Sequence, residues 1–373
     1  MQTVAIIGAG PVGAVAAQLL AQRGFNVQLI HRPNNKGLGN SFKAGETLPP
    51  VANGILRHLG LYDFLEQEGH IECPGNQSAF GSAELVDFDF IFSANGLGWH
   101  LDRHAFEQHL LDRAVADGVR ILCNKVQSVA QQDGQWQLTL APSVNESTSE
   151  TLIKADYLVD ASGVSRFLLR QKNIPLEHND KLCARIAIFE TNTEHRDHRT
   201  LTEADHDGWW YSSCAPSGVR IVMFFSDSDL PGFKACGTRE AFLERLEQTC
   251  YIKQKVASEC TNYQEISSMS LYNEPARSTV SSLVQGDKWI AIGDAAMSFD
   301  PLSSQGLWVG FETARRAVNT ITTHLANSHC ASDLEYQGWV TNTYNDYLQE
   351  KQKYYAMEQR FKGEEFWQRR QTM

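Results

Sequence analysis

The first thirty or so residues show the pattern of an apolar strand, a helix and a second apolar strand. Thr3 to Ile7 is a short continuous apolar run of the kind that forms a buried strand. Ala14 to Arg23 is rich in Ala, Leu and Gln, which predicts a helix that ends at Gly24. Phe25 to Ile30 predicts the second strand. This order indicates a βαβ unit and therefore a parallel sheet.

Two later regions have strand patterns without helices between them. Leu85 to Phe92 alternates between apolar and acidic residues, which predicts a strand with one aromatic face. Three further segments also predict strands: Cys183 to Glu190, Trp209 to Ser213 and Arg220 to Phe225. Because no crossover helix separates these segments, we expect one antiparallel sheet inserted into the parallel domain.

The remaining pattern adds a helix, a hairpin and a helical C-terminus. Asp102 is a suitable N-cap for the amphipathic helix predicted after it. Gln135 to Leu140 and Thr151 to Ile153 predict a hairpin, and Tyr157 to Val159 predicts another strand. After Gly310 the chain is predicted to be helical, and we expect its terminal aromatic residues to pack across the parallel domain.

Composition and charge exclude several classes of function. With 42% hydrophobic and 21% charged residues, the chain of 373 residues has the balance of a globular protein with a sizeable core. Its net charge of −11 argues against a nucleic acid partner. The eight Cys residues form no C-x-x-C pair, and no spacing of His and Cys predicts a metal site. Without an apolar run of membrane-spanning length or room for a signal peptide before the first strand, we expect a cytoplasmic protein without membrane contact.

The glycine-rich turn after the first strand points to a specific chemistry. Gly8 permits a tight turn, Gly10 lets the backbone approach a pyrophosphate, and Gly13 lets the helix pack closely against the strand. Pro11 lies in the same turn. The helix that follows presents its N-terminal N–H groups and a partial positive charge to phosphates. The turn therefore predicts a dinucleotide site.

The end of the second strand departs from the usual dinucleotide pattern. An acidic residue is expected there for the ribose hydroxyls, but His31 and Arg32 occupy the position. Either side chain can donate a hydrogen bond to the ribose, and Arg32 can also lie near the adenine or the phosphates.

Three motifs occur in the order found in flavoprotein monooxygenases of the p-hydroxybenzoate hydroxylase type. They are the glycine turn, the LVDASG segment and the segment IGDAAMSFDPLSSQG near residue 300. The resemblance implies an α/β fold, in which a Rossmann-like FAD-binding domain carries an inserted antiparallel substrate domain and a helical C-terminus. It also implies a set of FAD contacts from the later motifs and from the helix after the first insertion: Arg103, Asp160, Gly163, Asp294, Pro301, Gly306 and Leu307.

Two of these implied contacts have a defined chemical role. By the resemblance, Asp294 bonds the ribityl chain of FAD. The turn to Gly306 and Leu307 presents N–H groups to the pyrimidine edge of the isoalloxazine, where they would stabilise the anionic reduced flavin. The implied FAD-binding domain comprises residues 1–75, 96–175 and 270–328, the substrate domain residues 76–95 and 176–269, and a C-terminal helical segment residues 329–373.

A narrower resemblance, to the tryptophan-halogenase-like branch, extends over essentially the whole chain. It rests on FKAGETLPP, GWHLDR, DASG, DPLSSQG and the terminal RFKGEEFWQRR. The halogenase residues themselves are absent. Asn53 and Gly54 occupy the region of the halogenase lysine, and Ser303 replaces the glutamate after Asp-Pro-Leu. Without a lysine to capture hypohalous acid, we reject halogenation.

Within this branch the chain resembles flavoproteins of the LodB and GoxB type, which mature amine and amino-acid oxidases that carry a cysteine tryptophylquinone. The resemblance implies a monooxygenase that hydroxylates a tryptophan of a precursor oxidase, with NAD(P)H or a separate reductase as the electron source. Glu46, in the Gly-Glu segment, is the candidate for an orienting or proton-accepting group, although it can equally cap the turn that follows.

Aromatic residues of the inserted sheet are candidates for binding an indole. They are Phe90, Trp209, Trp210 and Tyr211, which equally suit an ordinary sheet core. Two alternative functions stay open: hydroxylation of a free small aromatic or indole, and a non-catalytic flavin-bound chaperone of the precursor. A closed pocket would favour the former, and processing that survives the loss of FAD would favour the latter.

Overall fold

The computed structural model describes residues 1–31, 46–67, 69–142, 151–191, 197–263, 270–326 and 333–371. The helices in these ranges are α1 (Pro11–Gln22), α2 (Ala52–His58), α3 (Tyr62–Gln67), α4 (Arg103–Ala116), α5 (Phe167–Gln171), α6 (Pro231–Ala235), α7 (Arg239–Leu246), α8 (Tyr251–Glu259), α9 (Gly306–Ala326), α10 (Asp333–Met357) and α11 (Glu365–Gln371).

The strands in these ranges are β1 (Thr3–Ile7), β2 (Asn26–Ile30), β3 (Glu46–Leu48), β4 (Ile71–Cys73), β5 (Gly75–Ala79), β6 (Val86–Asp89), β7 (Gly98–Leu101), β8 (Arg120–Leu122), β9 (Val126–Gln132), β10 (Gln135–Leu140), β11 (Thr151–Ala155), β12 (Tyr157–Asp160), β13 (Leu176–His178), β14 (Leu182–Glu190), β15 (Thr200–Asp205), β16 (Gly208–Ala215), β17 (Val219–Asp227), β18 (Ser270–Pro275), β19 (Thr279–Ser281), β20 (Gln285–Gly286), β21 (Trp289–Ala291) and β22 (Met297–Ser298).

A mainly parallel sheet forms the centre of the larger layer. Its strand order is β20-β21-β12-β1-β2-β8, and β20 is antiparallel to its neighbour. Val4, Ala5 and Ile6 on β1 are fully buried, as expected for a strand with both faces covered. Helix α1 packs against α4 and α9. The predicted βαβ unit, and the α/β fold class with it, are confirmed.

The inserted sheet has seven strands in the described residues, in the order β18-β14-β17-β16-β15-β5-β6. Its strands pair antiparallel except β15 and β5, which are parallel. Residues alternate between its two faces, since successive side chains of a strand point in opposite directions. Trp210 and Phe224 lie on the outer face, in a core shared with residues of α7 and α8. Trp209 and Phe225 lie on the inner face, in a second core that also contains residues of the C-terminal helices.

The prediction of one strand from Leu85 to Phe92 is wrong in its second half. Strand β6 ends at Asp89, and Phe90–Phe92 form a 3₁₀ turn. The predicted aromatic face is not buried, because β6 is the edge strand of the sheet and Phe88 and Phe92 are 55% and 90% exposed.

The C-terminal helices connect the two layers. Tyr336 and Tyr344 of α10 belong to the core of the parallel sheet. Tyr355 and the α11 residue Trp367 instead pack on the inner face of the antiparallel sheet. The expectation that the terminal aromatic residues pack across the parallel domain is therefore wrong for this part of the segment. Its reason is a buried ion pair from Arg370 Nη2 to Asp227 Oδ1 on β17, at 2.6 Å.

Smaller elements place residues near the site. Asp102 caps α4 as predicted, since its Oδ1 accepts hydrogen bonds from the N–H groups of His104 and Ala105 at 3.0 Å each. The small sheet β3-β7-β4 carries Thr47 and His100 on adjacent strands. Within the described ranges, no helix is both long and apolar enough to cross a membrane.

A buried ion pair ties the antiparallel sheet to its outer helices. Arg220 on β17 and Glu259 on α8 have side-chain exposures of 0% and 7%. Arg220 Nε donates to Glu259 Oε2 at 3.1 Å, and its Nη1 donates to Ser212 Oγ at 3.0 Å. The guanidinium is therefore both neutralised and hydrogen-bonded away from water.

We expect Glu259→Ala to lower the free energy of unfolding by about 3–5 kcal/mol, because it leaves the Arg220 charge buried without its partner. Urea denaturation measures this change. Glu350→Ala is the matched control, since its pair with Lys353 is exposed and contributes at most about 1 kcal/mol. Equal losses in the two variants would contradict the assignment.

Candidate active site

A cavity of about 520 Å³ lies between the two layers. One wall is the inner face of the antiparallel sheet, with the side chains Ala184, Ile186, Trp209, Tyr211, Met223 and Phe225. The opposite wall comes from the segments that follow β12 and β21 and from the start of α9. Ligands of open α/β sheets bind at these carboxyl ends of the strands. Exposed residues such as Glu274 and Arg277 border the mouth.

The glycine turn leaves no room for side chains where β1, α1 and β12 meet. Gly8 has a φ of +113°, and a Cβ there would lie 2.2 Å from the Ala161 carbonyl oxygen. A Cβ at Gly13 would lie 2.0 Å from the Gly8 carbonyl oxygen. Gly8 therefore requires glycine for its backbone conformation and for close packing, and Gly13 requires it for close packing alone.

The N-terminus of α1 fits the phosphates of FAD. Gly10 is its N-cap and Pro11 its first residue, and no side chain caps the helix. A Cβ at Gly10 would meet nothing within 4 Å, so the space in front of the first helical N–H groups is open. An uncapped helix terminus with open space suits an anion such as a pyrophosphate.

The ribose contacts of His31 and Arg32 stay predictions. The His31 N–H donates to the Leu122 carbonyl at 2.8 Å, which extends the pairing of β2 with β8 by one residue. Arg32 lies outside the described residues.

The Asp160 carboxylate has a structural role, and the predicted contact of this residue with FAD stays a prediction. Oδ1 accepts hydrogen bonds from Ser162 Oγ at 2.6 Å and from the Ser162 N–H at 3.1 Å. Oδ2 accepts from the N–H groups of Leu168 and Leu169 on α5. Burial raises the pKa of Asp160, and these hydrogen bonds oppose the rise. Asp160 therefore holds the turn that contains Gly163, whose contact with FAD stays a prediction.

The third motif brings its residues to the cavity. Asp294 is exposed in a 3₁₀ turn after β21 and lines the cavity, as do Pro301 and Gly306. Gly306 begins α9, and Leu307 behind it is buried. A helix N-terminus and a carboxylate at one wall fit the pyrimidine edge and the ribityl hydroxyls of a flavin.

Arg103 also lines the cavity, as the first residue of α4. Its Nη2 donates to Glu107 Oε1 at 2.6 Å, one helical turn away. The ion pair orients the guanidinium at the cavity wall, and its contact with FAD stays a prediction.

Only part of the predicted aromatic wall faces the cavity. Trp209 and Tyr211 line it, whereas Trp210 points to the other face of β16 and donates its Nε1–H to Asp205 Oδ2 at 2.9 Å. The two-residue period of a strand thus rules out Trp210 as a substrate contact. Phe90 is not a lining residue either, and its ring lies beside the backbone of Gly98.

Residues that the sequence pattern did not identify hold Trp209 in place. Trp209 stacks on Phe225 with ring centroids 4.0 Å apart, and its Nε1–H donates to Tyr355 Oη at 3.0 Å. Tyr355 in turn donates to Asp300 Oδ2 at 2.7 Å. Burial raises the pKa of Asp300, which the nearby Lys351 ammonium opposes. Asp300 precedes Pro301 in the third motif, but its partners on α10 had no sequence signal.

A second chain of hydrogen bonds ends at the cavity. Tyr211 Oη lies 2.8 Å from Thr47 Oγ1, and Thr47 Oγ1 lies 2.9 Å from His100 Nδ1. His100 Nε2 lies 2.6 Å from the His198 carbonyl oxygen. Thr47 and Tyr211 both line the cavity, whereas His100 is buried behind them. Burial lowers the pKa of His100 to about 4.

Glu46 and Asn53 are two further residues that the sequence analysis singled out. The Glu46 backbone pairs with Leu101 at the start of β3, and the Glu46 side chain lies outside what the structure describes. Asn53, in the region of the halogenase lysine, is buried in α2. Its amide donates to the carbonyls of Asn95 and Leu97 at 2.8 Å each, which gives it a structural role.

Comparison with known proteins places these features in a family context. A sequence model described as FAD binding domain matches residues 1–331. The FAD-dependent oxidoreductase LodB of Marinomonas mediterranea is 28% identical, over 98% of this chain and 95% of that protein.

Two solved structures have similar folds. The first is the peptidyl tryptophan dihydroxylase QhpG, described as essential for tryptophylquinone cofactor biogenesis. Its TM-score is 0.77 and its identity 22%, over 99% of this chain and 78% of that one. The second is the myxobacterial chondrochloren halogenase CndH, with a TM-score of 0.83 and 22% identity over 100% and 87% of the chains.

We expect Gly13→Ala to weaken FAD binding at least about tenfold, because the new methyl group displaces the turn that cradles the phosphates. Titration of the FAD-free protein with FAD, followed by flavin fluorescence, measures the change. Gly54→Ala on α2 is the control, since a Cβ there meets nothing within 4 Å. Unchanged affinity in Gly13→Ala would contradict the placement of the phosphates at α1.

The burial of His100 predicts a pH dependence of stability. Its pKa is lowered from 6.5 to about 4, so between these values the unfolded chain binds a proton that the folded chain does not. Stability therefore falls as the pH falls, by about 1.5 kcal/mol from this residue between pH 6.5 and pH 5. Urea denaturation at both values should show a smaller decrease for His100→Asn. The exposed His58→Asn should keep the wild-type decrease, and an unchanged decrease in His100→Asn would refute the prediction.

Proposed function

This chain belongs to the family of the FAD binding domain, and from that premise we propose that it hydroxylates a tryptophan side chain of a precursor protein during the biogenesis of a cysteine tryptophylquinone. FAD is its cofactor and it is a flavin-dependent oxidoreductase, as predicted. The precursor, the tryptophan and the quinone are the proposed part.

The observation that carries the proposal is the composition of the two cavity walls. Asp294 and the N-terminus of α9 lie on the wall assigned to the flavin. The facing wall consists of the stacked pair Trp209 and Phe225 together with Tyr211 and Met223. An indole ring placed between the walls has a flat apolar surface on one side and the flavin on the other.

Reduced FAD supplies electrons to O₂ and thereby an electrophilic oxygen atom. The protein has to hold an electron-rich ring against that oxygen and to keep water away from it. The apolar inner face of the antiparallel sheet serves both needs. The Trp209 ring is fixed from behind by Tyr355, so the wall keeps its shape when the substrate enters.

The relatives support the choice of substrate. LodB resembles this chain over nearly its full length, and QhpG, named a peptidyl tryptophan dihydroxylase, has the same fold. Halogenases share that fold as well. The structural role of Asn53 speaks against halogenation, since its amide is used by the backbone and no lysine stands in its place.

A free indole or another small aromatic is the second candidate substrate. The cavity of about 520 Å³ is in the range of small-molecule pockets, which favours this alternative.

The test is incubation of the FAD-loaded enzyme with a reductant, O₂ and an unmodified precursor oxidase. We expect the mass of a tryptophan-containing peptide of the precursor to increase by one or two oxygen atoms. Free tryptophan and indole are offered in parallel, and their modification in place of the precursor would support the second candidate. No added oxygen in any substrate would refute both.

Asp294→Ala separates catalysis from a chaperone role. We expect it to lose FAD and oxygen insertion together, because the carboxylate no longer holds the ribityl chain. Asp89→Ala, an exposed carboxylate outside the cavity, is the control. Precursor maturation that continues in Asp294→Ala without FAD would identify the protein as a chaperone.

A further inference from the structure

We infer that Tyr211 and Thr47 form a hydrogen-bond-accepting site in the cavity wall that takes the indole N–H of the substrate, and that His100 fixes this polarity. The inference deepens the proposed function and rests on its assignment of the cavity to an indole. It names the two oxygen atoms that orient the ring and the reason why they accept.

The direction of the chain of hydrogen bonds starts at His198. A backbone carbonyl can only accept, so His100 Nε2 must carry the proton in the 2.6 Å contact. A neutral imidazole has one ring proton, which leaves Nδ1 as an acceptor. The burial that lowers the pKa of His100 to about 4 keeps the ring neutral at physiological pH.

The donor direction of the Thr47 and Tyr211 hydroxyl groups is then determined. Thr47 must give its single proton to His100 Nδ1, at 2.9 Å. At the 2.8 Å contact between Thr47 and Tyr211, the proton must therefore come from Tyr211. Both protons point into the wall, and the hydroxyl oxygens are left with lone pairs.

A third hydroxyl group belongs to the same network. Burial raises the pKa of Tyr211, and its hydrogen bonds with Thr47 and with Ser213 oppose the rise. Because the Tyr211 proton is already used, Ser213 can only donate. One lone pair remains on Tyr211 and one on Thr47 for a group in the cavity.

An indole matches this site because its single polar group is a donor. Met223 lies opposite Tyr211 in the neighbouring strand, and Trp209 is two residues away on the same face. The ring can therefore lie on an apolar surface while its N–H reaches the hydroxyl oxygens. A carbonyl, a carboxylate or an ether oxygen at the same place would meet lone pairs, so the site rejects them.

The test compares two probes in the FAD-loaded, oxidised enzyme. One is N-acetyl-tryptophanamide, and the other is its benzothienyl analogue, in which sulfur replaces the N–H. Isothermal titration calorimetry measures both affinities without turnover. We expect the wild-type protein to prefer the indole about tenfold, because the analogue leaves the acceptors unpaired.

Two variants test whether the indole preference depends on the direction of the hydrogen bonds or only on the presence of the Tyr211 hydroxyl. Tyr211→Phe removes one acceptor and is expected to lower the preference at least about threefold. Thr47→Val keeps the Tyr211 hydroxyl but frees its proton, so the preference is expected to vanish although Tyr211 is unchanged. Tyr251→Phe is the control, because its hydroxyl donates to the Ala83 carbonyl outside the cavity. Its preference should equal that of the wild type.

Several results would overturn the inference. They are equal affinities for the two probes in the wild type, no binding of the indole probe, or a full preference in Thr47→Val. A loss of FAD affinity in Tyr211→Phe with the indole preference intact would assign the hydroxyls to the cofactor instead. An indole preference in an enzyme that leaves the precursor unmodified would support this inference and count against the proposed function alone.

Discussion

The site depends on the close packing of three strand ends around one side chain, Val12. A Cβ at Gly310 would lie 2.6 Å from Val12 Cγ2, and a Cβ at Gly293 would lie 3.3 Å from Val12 Cγ1. Because Gly13 next to it packs on Gly8 and the turn after β12, the ends of β1, β12 and β21 and the first turns of α9 are held in contact. A larger residue at any of these positions would separate the helix proposed to bind the phosphates from the segments proposed to bind the rest of the cofactor. The three motifs therefore form one packed unit, although they lie far apart in the sequence.

The second requirement is a rigid wall opposite the flavin, which the antiparallel sheet and the C-terminal helices supply together. Trp209 and Phe225 stack on adjacent strands. Trp209 donates to Tyr355, which in turn donates to Asp300, and this chain of hydrogen bonds links the sheet to the third motif. Asp300 is held by the N–H of Leu302 as well, so the same carboxylate orders the turn before α9 and the back of the aromatic wall. A displacement of α10 would therefore be transmitted to both walls of the cavity.

The sequence predicted those parts of the structure that follow from local patterns. The glycine turn, the βαβ unit and the Asp102 cap each depend on residues within one turn or one element, and the order of the motifs then gave the fold. Alternation places Trp209 and Trp210 on opposite faces of β16, but which face lines the cavity depends on how the two layers pack. The exposure of Phe88 and Phe92 depends on β6 having no outer neighbour, which the sequence pattern does not show. The structural role of Asp160 has no sequence signal of its own, because its Oδ2 accepts from backbone N–H groups of α5 that any sequence would provide. Thr47, His100 and Tyr211 come from three strands that meet only in the folded chain.

The charged side chains described next are paired, hydrogen-bonded or exposed, and none of them lies on the aromatic wall of the cavity. Arg103 is paired with Glu107, and Arg166 donates to Ser281 Oγ and to backbone carbonyls. Glu274 and Arg277 stand at the exposed rim. The surface that would face an indole consists of aromatic rings, a thioether and two hydroxyls whose protons are already committed. No side chain of this surface ionises near neutral pH, so it would hold the ring through apolar contacts and hydrogen bonds and not through charge. A neutral, electron-rich ring would be held there by its shape and by the one directed hydrogen bond that we propose.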